Sequence, residues 1–201
     1  MFLEGINTIL KIWSTEAPYK IKGEYWDVTT ENTLIEDIGQ GYMTRPLQRP
    51  HPPIIVTAVA PYSKGISEAA ARGWKPISAD IIMPNWVKTH WEKYVEGCKK
   101  GKLIPSKDDW RIAKTVFVAE DLKKAKEYAL GPNSPYVFYF KQLFKKFVAL
   151  GKLELFKSSM NQPDSEITLE KVCEELIIWG TPEKVFDDIS SFRDKVGDFG
   201  M

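Results

Sequence analysis

The strongest chemical pattern lies where an apolar run, Ile54-Ile55-Val56-Thr57-Ala58-Val59-Ala60, passes into Pro61-Tyr62-Ser63-Lys64-Gly65-Ile66-Ser67. A helix starting there presents backbone N–H groups with no intrahelical acceptor and a partial positive charge. Ser63 and Ser67 can donate hydroxyl hydrogen bonds, Lys64 adds a charge, and Gly65 allows close approach to the backbone. That set suits a phosphate. On pattern alone it suits better still an ordinary capped strand-to-helix turn with Ser67 as N-cap. Neither a GxGxxG nor a GxxxxGKS/T fingerprint is present to decide between them.

Few other residues offer chemistry. His51, in Arg49-Pro50-His51-Pro52-Pro53, is either a general base or a loop histidine bonded to backbone. His90 sits mid-helix beside Trp91 and reads as structural. Asp80 interrupts an apolar stretch, so its carboxylate either faces a site or pairs locally. Tyr139 and Phe140 belong to an aromatic helix that reads as core or subunit contact, with an apolar pocket as the other option. No Ser-His-Asp set, metal cluster or carboxylate pair can be assembled, so the catalytic residues are unassigned and no metal is expected. Cys98 and Cys173 stand alone, which points away from disulfides or zinc and towards a reducing cytoplasm.

Alternating elements position these residues. The spacing of Phe2, Ile6, Ile9, Leu10 and Trp13 predicts a helix over 2–13 that starts without a cap. Residues 20–29 read as a hairpin around Gly23, and proline-rich 30–52 as loop. Strands are expected at 54–60, 76–82 and 110–118. Helices are expected at about 67–72, 84–101, 120–130 and 136–150, from about 168, and from a Thr181 cap with Pro182 in its first turn to Gly197. Residues 151–166 read as a mobile excursion, and a further strand could begin at Phe199. Buried strands alternating with amphipathic helices define an α/β fold with a parallel sheet.

The chain has 201 residues and a net charge of +1, which argues against nucleic acid as the main partner. No apolar stretch approaches the ~20 residues of a membrane span.

Several stretches carry a resemblance. They are Ile9–Trp13 followed by Gly23-Glu24-Tyr25-Trp26; Arg45-Pro46-Leu47-Gln48-Arg49-Pro50-His51-Pro52-Pro53-Ile54; Ser67-Glu68-Ala69-Ala70-Ala71-Arg72-Gly73-Trp74; Trp110-Arg111 with Val116–Asp121; and Gly180-Thr181-Pro182-Glu183-Lys184-Val185. In order and spacing the chain resembles the C-terminal portion of luciferase-like flavin-dependent monooxygenases, the limonene- and alkanal-monooxygenase-like branch. The resemblance implies a single luciferase-like domain over 1–201, part of a TIM (β/α)8 barrel. It implies reduced FMN supplied by a flavin reductase, O2 as oxidant, a small apolar organic substrate, and a homo- or hetero-oligomer. Ala58, Val59, Ala60, Ser63, Lys64, Gly65 and Ser67 would then touch the flavin and its phosphate, with small residues at 58 and 60 leaving room for the ring. Relatives are nearly twice as long, so the first strands, the last strand and the family's active-site histidine are expected to be missing. A deazaflavin-dependent oxidoreductase of the same barrel family, and a flavin-binding fragment without turnover, are the alternatives.

Overall fold

The structure, a computed structural model, describes residues 1–200. They divide into two compact units, Met1–Pro53 and Ile54 onward.

In the first unit, helix α1 (Phe2–Ser14) is amphipathic but buries no residue fully. The expected hairpin is present as β1 (Lys20–Lys22) and β2 (Asp27–Thr29), antiparallel with Ile21 opposite Val28. Its turn is fixed by two carboxylates. Asp27 accepts from the Gly23 amide at 3.2 Å, and Glu4 of α1 accepts from the Tyr25 and Trp26 amides, each at 3.0 Å. The remainder is loop with one short 3-10 turn, Glu36–Ile38. His51 spends one ring nitrogen on its neighbour, Nδ1 donating to the Pro52 carbonyl at 2.8 Å.

The second unit runs β3 (Ile55–Ala58), α2 (Lys64–Ala70), β4 (Lys75–Ser78), α3 (Pro84–Lys100), β5 (Arg111–Ile112), β6 (Thr115–Val118), α4 (Leu122–Leu130), α5 (Pro135–Ala149), α6 (Leu169–Leu176), β7 (Ile177–Gly180) and α7 (Pro182–Val196). Side chains one residue before α4, α5, α6 and α7 cap them. Asp121, Ser134, Thr168 and Thr181 each accept from amides of the first turn, satisfying donors the helix cannot. The pairs β3–β4, β4–β5 and β6–β7 are all parallel. The strands are divided among separate sheets, and none closes into a barrel among the described residues.

Three expectations need correction. The single strand over 110–118 is two strands in two sheets. Ala113 still donates to the Ser78 carbonyl at 2.8 Å beside β4, but from Thr115 the chain pairs with β7 instead. The exchange occurs at Lys114, whose ammonium lies 4.6 Å from the Phe192 ring. Strand β7 was not expected at all. It follows α6 with no Gly, Pro or Asn between them, so its apolar run reads as more helix. Finally, α2 begins at Lys64, so Ser67 is not its N-cap but lies inside the helix.

At residues 199–200 the chain turns extended. The Gly200 amide donates to the Trp110 carbonyl at 2.8 Å, and Gly200 forms a parallel bridge with Arg111. The excursion at 151–166 is tied down. Phe156 is buried, Trp86 Nε1 donates to the Lys157 carbonyl at 2.6 Å, and Asn85 Nδ2 donates to the Ser158 carbonyl at 3.0 Å.

The core has three parts. One gathers Phe140, Phe156, Val172, Leu176 and Ile177 around α5, α6 and β7. The second joins Ala58, Ile66, Ala70, Tyr94 and Cys98 between β3, α2 and α3. The third surrounds Trp110 with Ile82, Val87, Phe192 and Val196. Each fully buried large side chain is worth roughly 1.5–3 kcal/mol. In the second part α2 and α3 touch through backbone. A Cβ on Gly97 would fall 2.2 Å from the Ser67 carbonyl oxygen and 2.6 Å from the Ala70 Cβ.

Candidate functional site

The turn from β3 into α2 is held by α3. His90 Nε2 donates to the Ala60 carbonyl at 2.9 Å, which fixes the Nε2–H tautomer because a carbonyl only accepts. Its Nδ1 then accepts from the Ser78 hydroxyl at 2.8 Å, and that oxygen accepts from Trp110 Nε1 at 3.0 Å. Trp110, Ser78 and His90 are each buried, and the relay satisfies every polar atom in it. One residue earlier, Thr89 Oγ1 accepts from the Tyr62 amide at 3.1 Å while donating to the Trp86 carbonyl at 2.6 Å. Tyr62 is held at φ 51°, a left-handed conformation uncommon for a residue with a side chain. Two consecutive residues of α3 thus set the path of the turn from outside it.

Burial depresses the His90 pKa below its ordinary 6.5, the Ala60 hydrogen bond opposing the shift. The unfolded chain therefore binds this proton at higher pH than the folded one. The resulting stability is fully present above about pH 6.5 and is lost as pH falls below it towards the folded value. Urea midpoints measured from pH 7.5 down to pH 5 are expected to fall, and to fall less in His90→Gln. Parallel slopes in the two proteins would remove His90 as the cause.

The residues of the expected phosphate loop are not brought together as one set. Ala58 is 1% exposed, its methyl packed in the core between β3, α2 and α3. Val59 is 44% exposed at the strand end, and Ala60 gives its carbonyl to His90. Ser63, at the N-cap position of α2, makes no capping hydrogen bond. Lys64 and Gly65 are exposed, and a Cβ at Gly65 would meet only Ser63 Oγ, at 3.6 Å. The turn at Ser63, Lys64 and Gly65 is thus open at the surface, and the donors there are of a kind that suits an anion such as a phosphate.

Ser67 does not join it. It is 2% exposed, donates to Glu96 Oε1 at 3.1 Å and accepts from Lys100 Nζ at 2.9 Å. Glu96 also meets Lys93 at 2.7 Å, and these bonds, Lys93 first, hold its carboxyl down at about 2. Ser67 is thus a helix-packing residue.

The other candidates resolve as follows. Asp80 lies beyond the end of β4 and accepts from Thr115 Oγ1 at 3.1 Å, linking the end of one sheet to the start of the other. Phe140 is fully buried in the core around α5, α6 and β7, while Tyr139 is 43% exposed. Thr89 and Tyr62 escaped sequence reasoning because a main-chain angle and a contact 27 residues away leave no local pattern. Ser78, a lone hydroxyl on a buried strand, was the one available hint.

No family model matches the chain. It is similar over its whole length to 3,6-diketocamphane 1,6-monooxygenase of Pseudomonas putida, with 25% identity over 206 aligned residues covering 53% of that protein. Among solved structures, it superposes with a TM-score of 0.75 and 23% identity on the oxygenating constituent of 3,6-diketocamphane monooxygenase from the CAM plasmid of P. putida, a type II Baeyer-Villiger monooxygenase in complex with FMN. That match covers 98% of this chain and 54% of the other. An F420-dependent secondary alcohol dehydrogenase in complex with an F420–acetone adduct aligns with a TM-score of 0.64 and 18% identity over 100% of this chain and 53% of its own. The fold is therefore α/β and resembles about half of each of these solved structures. The chain spans about half the length of the curated relative it matches. No helix among the described residues is long and apolar enough to cross a membrane.

Proposed function

We propose that this chain carries the flavin-phosphate cradle of an FMN-dependent monooxygenase. The observation that carries the reading is the end-to-end similarity to 3,6-diketocamphane 1,6-monooxygenase. Residues 1–201 would belong to a single luciferase-like domain, one half of a (β/α)8 barrel. The half-exposed strand residues Ile55, Val59 and Val118 support this, since an inward barrel face left open presents such apolar side chains. Bound reduced flavin would supply the electrons and the oxygen chemistry, with a flavin reductase, O2 and a small apolar substrate as partners in the cytoplasm. Within this chain Ser63, Lys64 and the amides that open α2 would hold the phosphate, and the Thr89–His90 brace would keep them in place. A deazaflavin-dependent oxidoreductase is the second reading, favoured by the fit to the F420-dependent dehydrogenase.

The test is flavin titration of the purified chain, read by quenching of flavin fluorescence. FMN is expected to bind, and Ser63→Ala to weaken it about tenfold, as for one lost charge-assisted hydrogen bond of ~1.5 kcal/mol. Ser67→Ala should leave affinity nearly unchanged and lower stability instead. Equal FMN affinity in Ser63→Ala and the parent would sink the assignment. F420 binding without FMN binding would select the second reading.

A further inference from the structure

Lys114 stands at the break between β5 and β6, on the wall of two cavities. One, of about 370 Å³, is polar and opens between β7 and α7, with Lys114, Glu175 and Ser191 in its lining. The other, of about 120 Å³, is apolar and is lined by Ile112, Val116, Ile178, Ile189 and Phe192 as well as Lys114. The amine makes no ion pair or hydrogen bond with the described residues, whereas Lys184 on the same polar cavity is neutralised by Asp188 at 2.6 Å. A primary amine whose one charge contact is the face of the Phe192 ring at 4.6 Å, set between a wet pocket and a dry one, has the layout of a carbonyl trap.

We propose that Lys114 is an imine-forming site for small apolar aldehydes, with the carbonyl carbon meeting the amine in the polar cavity and the hydrocarbon tail lodged in the apolar one. The neutral amine adds to the carbonyl carbon, the amine proton passes to oxygen, and the carbinolamine then loses water to leave a C=N bond. Nothing is oxidised or reduced, and hydrolysis returns both partners. Burial holds the Lys114 ammonium down at about 8, against the partial opposition of Asp80, beyond β4, and Glu175, of α6. Lys184, Asp188 and Lys195 of α7 and Glu174 of α6 are the other charged groups around the same cavity. Near neutral pH a far larger fraction of this amine is therefore free than of an exposed lysine titrating at about 10.4. The inference does not depend on flavin binding.

The experiment is brief exposure of the folded chain to butanal with cyanoborohydride, which reduces the imine to a stable amine, followed by peptide mapping by mass spectrometry. At about pH 7.5 Lys114 is expected to be alkylated about tenfold faster than exposed lysines such as Lys123 and Lys126, the free-amine fraction outweighing its lower basicity. Its rate should level off above about pH 8 while theirs keeps rising. Formaldehyde, which has no tail, should show a smaller preference for Lys114. Ile189→Asp, which places a charge in the lining of the apolar cavity and not of the polar one, should reduce the butanal rate more than the formaldehyde rate. Alkylation of Lys114 no faster than Lys123 and Lys126, or a preference that is the same for both aldehydes, would overturn the proposal. Because the parent protein is mapped directly, the result does not hang on whether a Lys114 variant folds.

Discussion

Gly97→Ala destabilises the second unit by about 1–3 kcal/mol, although alanine in place of glycine inside a helix ordinarily gains about 1 kcal/mol. The two effects have opposite signs, and the contact decides between them. The new methyl would meet the Ser67 carbonyl oxygen at 2.2 Å and the Ala70 Cβ at 2.6 Å. The first of these is backbone, so relief requires α2 to move away from α3 as a body. That movement opens the core between β3, α2 and α3, where Ala58, Ile66 and Tyr94 pack. It also pulls α2 away from the side chains that steer the turn before it. Gly97→Leu should cost about 3 kcal/mol or more. Urea unfolding of the two variants measures this directly, and an alanine variant as stable as the parent would mean that the helices can separate at no cost. In the flavin titration, Gly97→Ala should weaken FMN binding without touching any group in the cradle.

Ser78→Ala is the second large effect, a loss of roughly 2–4 kcal/mol from removal of a single oxygen. That oxygen serves two buried neighbours at once. It donates to His90 Nδ1 and accepts from Trp110 Nε1, both in fully buried side chains. Without it the indole N–H faces apolar atoms, and an unsatisfied buried donor carries most of its desolvation penalty. Ser78→Cys, which keeps a weak donor and acceptor of similar size, should recover part of the loss. Chemical denaturation of Ser78→Ala, Trp110→Phe and their combination separates the terms. The double variant is expected to be less destabilised than the sum of the singles, because the orphaned N–H disappears with the indole. Strict additivity would show that the hydroxyl and the indole do not depend on each other.

The helices of this fold are legible in the sequence because their ends are written in side chains. Thr181 and Pro182 mark the start of α7, and Ser134 and Pro135 do the same for α5. The hairpin around Gly23 and the parallel strands β3 and β4 follow equally from alternation and apolar runs. What failed was partner choice. Trp110–Val118 reads as one strand, but no residue pattern announces that Lys114 ends its pairing with one sheet and begins pairing with another. Strand β7 was hidden because three apolar residues and a glycine directly after a helix carry no period of their own. The cradle was legible only in outline. Ser63, Lys64 and Gly65 stand where the strand-turn-helix pattern put them. Ser67 looked equivalent by type and spacing, but one turn of helix separates a half-buried hydroxyl from a fully buried one. Ala58 is small by type, and its methyl packs in the core with residues of α2 and α3.

The brace on Ala60 and Tyr62 has a practical corollary. A peptide copied from residues 58–67, or the same ten residues grafted into another scaffold, would carry the serine, the lysine and the glycine but not Thr89 or His90. Tyr62 would then relax out of its left-handed conformation, at a gain of order 1–3 kcal/mol. The portable module is therefore not the loop but the loop together with the middle of the helix that follows the next strand, a discontinuous unit that only a whole βαβα transplant would preserve.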